Sequence, residues 1–228
     1  MRIVRKIKTG WARLFAQPPS VFQEMNYDAY WKERSRNAAI PKPRHQLFLK
    51  WLKQCPHQRI LDVGCGDGVF ARLAQDTLKV KVFCIDISKT AVELAKAKGL
   101  EAQVVDVEND SIPGEYDVAV LSEFIEHLAN PEKALLRLKR HARYFFISIP
   151  NIAFIEHRVR LLFGRFPIQW AYYPGEHLRF WSIADILHLL RGLGFKVEEI
   201  RASDGVPVLK DILPNLFGEN ICFRLKVK

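Results

Sequence analysis

From residue 58 onward, apolar runs of strand length alternate with segments whose apolar positions recur at helical spacing. The pattern predicts strands at 58–63, 80–86, 101–106, 116–121, 143–149, 195–202 and 219–227, with helices at 67–77, 88–98, 131–140 and 182–193. The last helix is marked at both ends. Ser182-Ile183-Ala184-Asp185 has the form of a capping box, and Gly192 and Gly194 end the periodic stretch. Alternation of this kind predicts an α/β fold, with a largely parallel sheet covered by helices on both faces. The last two strand signals have no clear helix between them, so an antiparallel pair is expected at the far end of the sheet.

Two segments precede this alternating region. Residues 26–54 read as helical and aromatic, with Tyr27, Tyr30 and Trp31 first, then Leu47, Phe48, Trp51 and Leu52 after Pro43. The second group packs a helix on the domain; the first is either packing or a cover for a ligand. Residues 2–16 read as an amphipathic helix: on a helical wheel Ile3, Val4, Ile7, Trp11, Leu14 and Phe15 share one face, and the basic residues lie off it. Peripheral contact with an anionic membrane surface, docking on the chain's own domain or a partner, and an organellar presequence all fit that pattern. Gln17-Pro18-Pro19-Ser20 then reads as a short stiff linker. The expected organisation is therefore a basic helix and linker at 1–20, followed by one domain at 21–228.

Charge and cysteine content narrow the picture. The chain of 228 residues has a formal net charge of +10, yet residues 1–20 alone hold Arg2, Arg5, Lys6, Lys8 and Arg13 with no acid. The rest is only mildly basic, which argues against a nucleic-acid face across the domain. No apolar run reaches the length of a membrane span. Cys55, Cys65, Cys84 and Cys222 show no metal-ligand spacing, so reduced thiols, a cytoplasmic setting and no metal are expected. Any membrane association would be peripheral, at the inner surface, through residues 2–16.

The candidate chemistry centres on Ile60-Leu61-Asp62-Val63-Gly64-Cys65-Gly66-Asp67-Gly68, an apolar strand running into a glycine-rich loop and a helix start. Ligands of open parallel sheets sit beyond the carboxyl ends of the strands. At that edge the first strand supplies Asp62 and the loop, the second Asp86 and Ile87, the third Asp106 and Val107, and the fourth Ser122 and Glu123. An acid about 20 residues beyond such a loop is placed to hold ribose hydroxyls. The loop lacks the third glycine of a dinucleotide fingerprint, since Val69 stands there, and Asp67 would repel a pyrophosphate. Acids around such a loop suit S-adenosylmethionine, which has a cationic amino-acid end, a ribose and no phosphate.

The chain resembles the class I S-adenosylmethionine-dependent methyltransferases over roughly residues 25–228. The resemblance rests on the loop sequence and on Tyr116-Asp117-Val118 through Glu126-His127-Leu128 and Asn130-Pro131. Ser148-Ile149-Pro150-Asn151, Arg158-Val159-Arg160, Gly164-Arg165-Phe166-Pro167 and Glu176-His177-Leu178-Arg179-Phe180 resemble, more narrowly, the MetW-like branch and related small-molecule methyltransferases. The resemblance implies a Rossmann-like, seven-stranded sheet with its last strand antiparallel, and donor contacts at Asp62, Gly64, Gly66, Asp86, Asp106 and Ser122.

The acceptor is less legible. The connection 150–181 is long for an α/β loop and is expected to be a lid or acceptor site. It contains His157, Arg158, Arg160, Arg165, Trp170, Tyr172, Tyr173, Glu176, His177 and Arg179. His177 is the first candidate for a general base and His127 the second; Asn151 is a candidate contact to either substrate. The leading expectation is methyl transfer to an oxygen or nitrogen of a small molecule, such as a glycan or lipid precursor. The alternative is a MetW-like, non-catalytic module that assists a partner enzyme. Ser122-Glu123-Phe124 stands where a nucleic-acid methyltransferase carries an Asn-Pro-Pro-Tyr-type motif, so no nucleic-acid partner is expected.

Overall fold

The computed structural model describes residues 14, 15, 17, 25–34, 40–167 and 175–228. Seven strands form one sheet: β1 (Arg59–Val63), β2 (Lys81–Asp86), β3 (Glu101–Val104), β4 (Tyr116–Ser122), β5 (Ala142–Pro150), β6 (Phe195–Gly205) and β7 (Gly218–Val227), in the order β3-β2-β1-β4-β5-β7-β6. Pairing is parallel from β3 through β5, whereas β7 runs antiparallel to both β5 and β6. The expected antiparallel pair is present, and its later strand lies inside its earlier one.

Side chains alternate across the sheet, so each strand feeds two cores. On one face Ile60, Cys84, Val118, Val120 and Phe146 pack against α2 (Pro43–Leu52), α3 (Val69–Leu78) and α4 (Lys89–Ala97) through Phe48, Trp51, Phe70, Ala74 and Val92. On the other, Leu61, Ile85, Leu121, Phe145 and Ile147 meet Leu135 and Leu138 of α5 (Pro131–Leu138) and Ile186 and Leu190 of α7 (Ile183–Gly192). The Ser182 cap forms as its sequence predicts: its hydroxyl accepts from the Asp185 N–H, and the Asp185 carboxylate accepts from the Ser182 N–H.

Three local readings change. Strand β3 stops at Val104 rather than 106, because the Asp106 carboxylate accepts from the Glu108 N–H (2.9 Å) and the Asn109 amide (2.8 Å), closing a turn. The connection 150–181 contains a helix, α6 (Ile155–Leu162), with His157 and Arg160 buried. Between β6 and β7 lie two single-turn helices, α8 (Leu209–Ile212) and α9 (Pro214–Phe217), too short to show a periodic pattern. Upstream, α1 (Tyr27–Arg34) lies over the sheet's carboxyl edge. The basic segment 2–16 falls outside the described residues except for Leu14 and Phe15, the latter with its ring 6.4 Å from that of Phe163. No helix among the described residues is long and apolar enough to cross a membrane.

Candidate active site

Strands β1 and β4 are neighbours, yet the chain leaves them in opposite directions across the sheet. That reversal opens a crevice at their carboxyl ends. It is occupied by a cavity of about 730 Å³, walled by the β1–β4 edge below and by α1 above, through Tyr27, Tyr30, Trp31 and Arg34. Asp62, Gly64, Asp86, Ile87, Asp106, Val107, Ser122, His127 and His177 all line it. Gly66 does not. Its N–H donates to Asp86 Oδ2 at 2.9 Å, and a Cβ at Gly66 would stand 2.3 Å from the Trp31 ring.

The β1–β2 side is a carboxylate cradle. Asp86 accepts from the Gly66 and Ser88 N–H groups, each at 2.9 Å, so strand end, loop and the start of α4 hold one another. Ser88 caps α4 by accepting from the Ala91 N–H (3.1 Å) and donates to Asp28 of α1 (2.6 Å), which also accepts from the Thr90 N–H (3.0 Å). This chain of bonds fixes α1 over the cavity. Asp67, in the loop, pairs with Lys98 at 2.8 Å.

Asp62 is buried, and its Oδ2 has no hydrogen-bond partner. Burial, reinforced by the charge of Asp86, pushes its carboxyl up from 3.8 to about 7. Burial also raises Asp86, against the hydrogen bonds from Ser88 and Gly66. Two buried acids with an unsatisfied oxygen lack a cation, and a sulfonium amino acid carries one at its ammonium end. The residues present therefore fit S-adenosylmethionine. Asp62 would take the ammonium, and the Asp86 edge would take hydroxyls.

The β4 side is assembled from three separate segments. Arg44, at the start of α2, donates to Ser122 Oγ (2.8 Å) and pairs with Glu123 (2.6 Å). Glu123 has φ 51°, a left-handed conformation unfavourable for a residue with a Cβ, and also accepts from the Asn220 amide. The single-turn 3-10 helix Ile125–His127 then points Glu126 inward. The 176–179 return of the long connection docks on this turn: the Leu178 and Arg179 N–H groups donate to the Glu126 carbonyl at 2.8 and 3.1 Å. His127 Nδ1 lies 2.8 Å from the Glu176 carbonyl oxygen, and the His127 and His177 rings meet edge to face with centroids 4.8 Å apart.

Burial dominates the ionisation here. It lowers His127 against hydrogen bonding to backbone carbonyls, and it lowers His177 from 6.5 to about 3, with the His127 charge adding to the effect. Burial raises Glu176 from 4.5 to about 7, against the nearby Arg34. Glu126 is fully buried, neither of its carboxylate oxygens has a partner, and burial followed by repulsion from Glu123 pushes it well above 4.5. His177 Nδ1 is buried and unpartnered as well.

Of the 150–181 candidates among the described residues, Glu176 and His177 reach the cavity. His157 and Arg160 are buried elsewhere, with Arg160 donating to the Phe166 carbonyl at 2.7 Å. Arg158, Arg165 and Arg179 do not line the cavity, and Trp170, Tyr172 and Tyr173 lie outside the described residues. Asn151 is a structural clamp rather than a substrate contact: it donates to the carbonyls of Asn215 (3.0 Å) and Gly218 (2.8 Å) and accepts from the Ala153 N–H (3.0 Å). Residues that the sequence did not single out are Arg34, Arg44 and His45 in the wall, and Glu126 behind it. Arg44 and His45 directly follow the helix-starting Pro43, the one local signal that fixes their position.

Comparison with known proteins agrees with this geometry. Against curated sequences, residues align at 32% identity with a ubiquinone biosynthesis O-methyltransferase of Albidiferax ferrireducens, over 48% of this chain and 50% of that protein. The same-named protein of Burkholderia thailandensis aligns at 27%, over 74% of this chain and 80% of that one. Among solved structures, a SAM-dependent methyltransferase of Thermotoga maritima superimposes with a TM-score of 0.61 at 21% identity, covering 89% of this chain and 98% of that one. Magnesium protoporphyrin IX methyltransferase of Synechocystis, solved with bound SAH, gives 0.60 at 15%, covering 96% and 93%. At these identities the structural likeness establishes the fold: the Rossmann-like sheet of SAM-dependent methyltransferases. A family model described as a methyltransferase domain matches residues 30–200, and the chain belongs to that family.

Proposed function

We propose that this protein transfers the methyl group of S-adenosylmethionine to a hydroxyl oxygen of a small, largely apolar acceptor, such as a lipid-quinone precursor. The observation that carries the donor half is the Asp62–Asp86 pair at the glycine loop, both residues lining the cavity and Asp62 Oδ2 buried without a partner. The acceptor half is supported by the apolar and aromatic wall beside Ser122, Glu123, His127 and His177, and by relatives named O-methyltransferases. Those names favour an enzyme over a non-catalytic MetW-like module.

The donor, when bound, supplies an electrophilic methyl on a sulfonium. The chain's own residues do the rest. Asp62 and Asp86 fix the donor's two polar ends, each charge-assisted bond contributing about 1.5–3 kcal/mol. Tyr27, Tyr30 and Trp31 cover the cavity and exclude water, which strengthens these contacts. Both His127 and His177 line the cavity beside the acceptor end; burial lowers His177 to about 3 and makes it a weak base, so His127 is assigned to take the proton that an attacking hydroxyl loses.

The test is incubation of the purified protein with isotopically labelled methyl donor and a membrane-lipid extract. Label in an organic-soluble product, lost when the protein is omitted, is expected. Label that appears only in protein or nucleic acid contradicts the reading.

A further inference from the structure

We propose that Tyr27 recognises the positive charge of the bound donor, its phenol standing at the junction of the donor and acceptor ends of the cavity. The inference rests on the methyl-transfer reading. It gives one of the three aromatics of the cover a role that the other two do not share.

The position is fixed from both ends. Tyr27 is the first residue of α1 and lines the cavity. The next residue, Asp28, accepts from the Ser88 hydroxyl (2.6 Å) and the Thr90 N–H (3.0 Å), and the Ser88 N–H in turn donates to Asp86 (2.9 Å). One side of Tyr27 is thereby tied to the donor end. Its ring meets the His127 imidazole edge to face, with centroids 6.3 Å apart and planes at 86°, which ties the other side to the acceptor end. Tyr30 and Trp31 are turned elsewhere. Arg34 donates to the Tyr30 hydroxyl, and its guanidinium lies 4.9 Å from the Tyr30 ring centroid and 5.8 Å from that of Trp31. The Trp31 ring also closes over Gly66. The Tyr27 hydroxyl, by contrast, has no hydrogen-bond partner among the described residues.

Carboxylates from both ends act on that hydroxyl. Burial, followed by repulsion from Glu176, Asp86 and Glu126, pushes it up from 10.0 to about 12. Tyr27 is therefore a neutral phenol near pH 7, unsuited to act as a base, in a region of negative potential. Such a place suits a cation. The ring face and the hydroxyl lone pairs both attract a sulfonium, more strongly where water is excluded. The thioether left once the methyl has gone is neutral and gains nothing from the same surroundings. Tyr27 thus favours the charged donor over its product, which holds the donor before transfer and eases release of the product afterwards.

The experiment is calorimetric titration of the full chain with S-adenosylmethionine and, separately, with S-adenosylhomocysteine. The wild type is compared with Tyr27→Phe, Tyr27→Leu and Tyr30→Phe. Tyr27→Phe keeps the ring and its packing, so the fold is retained. It should weaken S-adenosylmethionine by roughly three- to tenfold and leave S-adenosylhomocysteine within about twofold of the wild type. Tyr27→Leu also removes the ring face and should widen the difference between the two ligands. Tyr30→Phe should leave the ratio of the two affinities unchanged, because its hydroxyl is turned to Arg34. A residue that merely covers the cavity would weaken both ligands alike. Equal losses for the two ligands in both Tyr27 variants, an unchanged ratio in both, or a ratio that falls as far in Tyr30→Phe, overturns the assignment. Failure of the wild type to bind either ligand overturns the donor reading itself, so the two failures are distinguishable.

Discussion

On the β1–β2 side of the cavity, the carboxylates are largely answered by backbone amides within a few residues of them. Asp86 is bonded to Gly66 and Ser88, and only one oxygen, Asp62 Oδ2, is left over. On the β4 side the polar groups come from three distant segments: α2, the Ser122–His127 turn and the 176–179 return. Three of their buried atoms have no partner. A single unsatisfied oxygen suits one ammonium. The donor end is thus pre-organised by short-range folding, and the acceptor end by tertiary docking, with its electrostatics incomplete in the chain alone.

Breaking the donor end by sterics should produce the largest effect. Gly64 has φ 66°, and a Cβ there would stand 2.1 Å from the Phe124 ring, so Gly64→Val must strain the loop and push the ring into the cavity. Binding of S-adenosylhomocysteine, measured by calorimetry, should fall by on the order of 100-fold.

A smaller effect separates the two ends by pH. Because burial raises the Asp62 carboxyl from 3.8 to about 7, the stability it contributes is complete below its ordinary value and is lost as pH rises through about 7. Without donor, Asp62→Asn should therefore melt above the wild type at pH 8, by roughly 2–4 °C per kcal/mol recovered. The gap should close near pH 4. Glu176 is raised in the same sense but is present in both proteins, so it cancels in the comparison. A constant gap across the range would contradict the orphaned acid.

The smallest effect concerns the cover. Asp28→Ala removes the acceptor for Ser88 and Thr90 that ties α1 to α4. Donor-product affinity should drop by about fivefold, roughly 1 kcal/mol, mostly through faster release in stopped-flow measurements.

The same contrast explains what the sequence revealed. Asp62, the loop and Asp86 belong to contiguous strand–turn–helix units, whose spacing dictates where they meet. The strand pattern was legible for the same reason, and β3 was overrun only because Asp106 caps its own turn. The Glu126–His177 neighbourhood depends on 50 residues of intervening chain folding back, which no local spacing encodes. Asn151 looked like a site residue because it ends β5 at the correct edge; its amide instead stitches that edge to α9 and β7.

The most direct measurement is a paired titration of S-adenosylhomocysteine into Asp86→Ala and His177→Ala. The account predicts affinity at least about tenfold weaker in Asp86→Ala, from the loss of a charge-assisted contact, and within about twofold of wild type in His177→Ala. Unchanged affinity in Asp86→Ala, or an equal loss in both, would contradict a donor pocket at the β1–β2 edge that stands apart from the acceptor end.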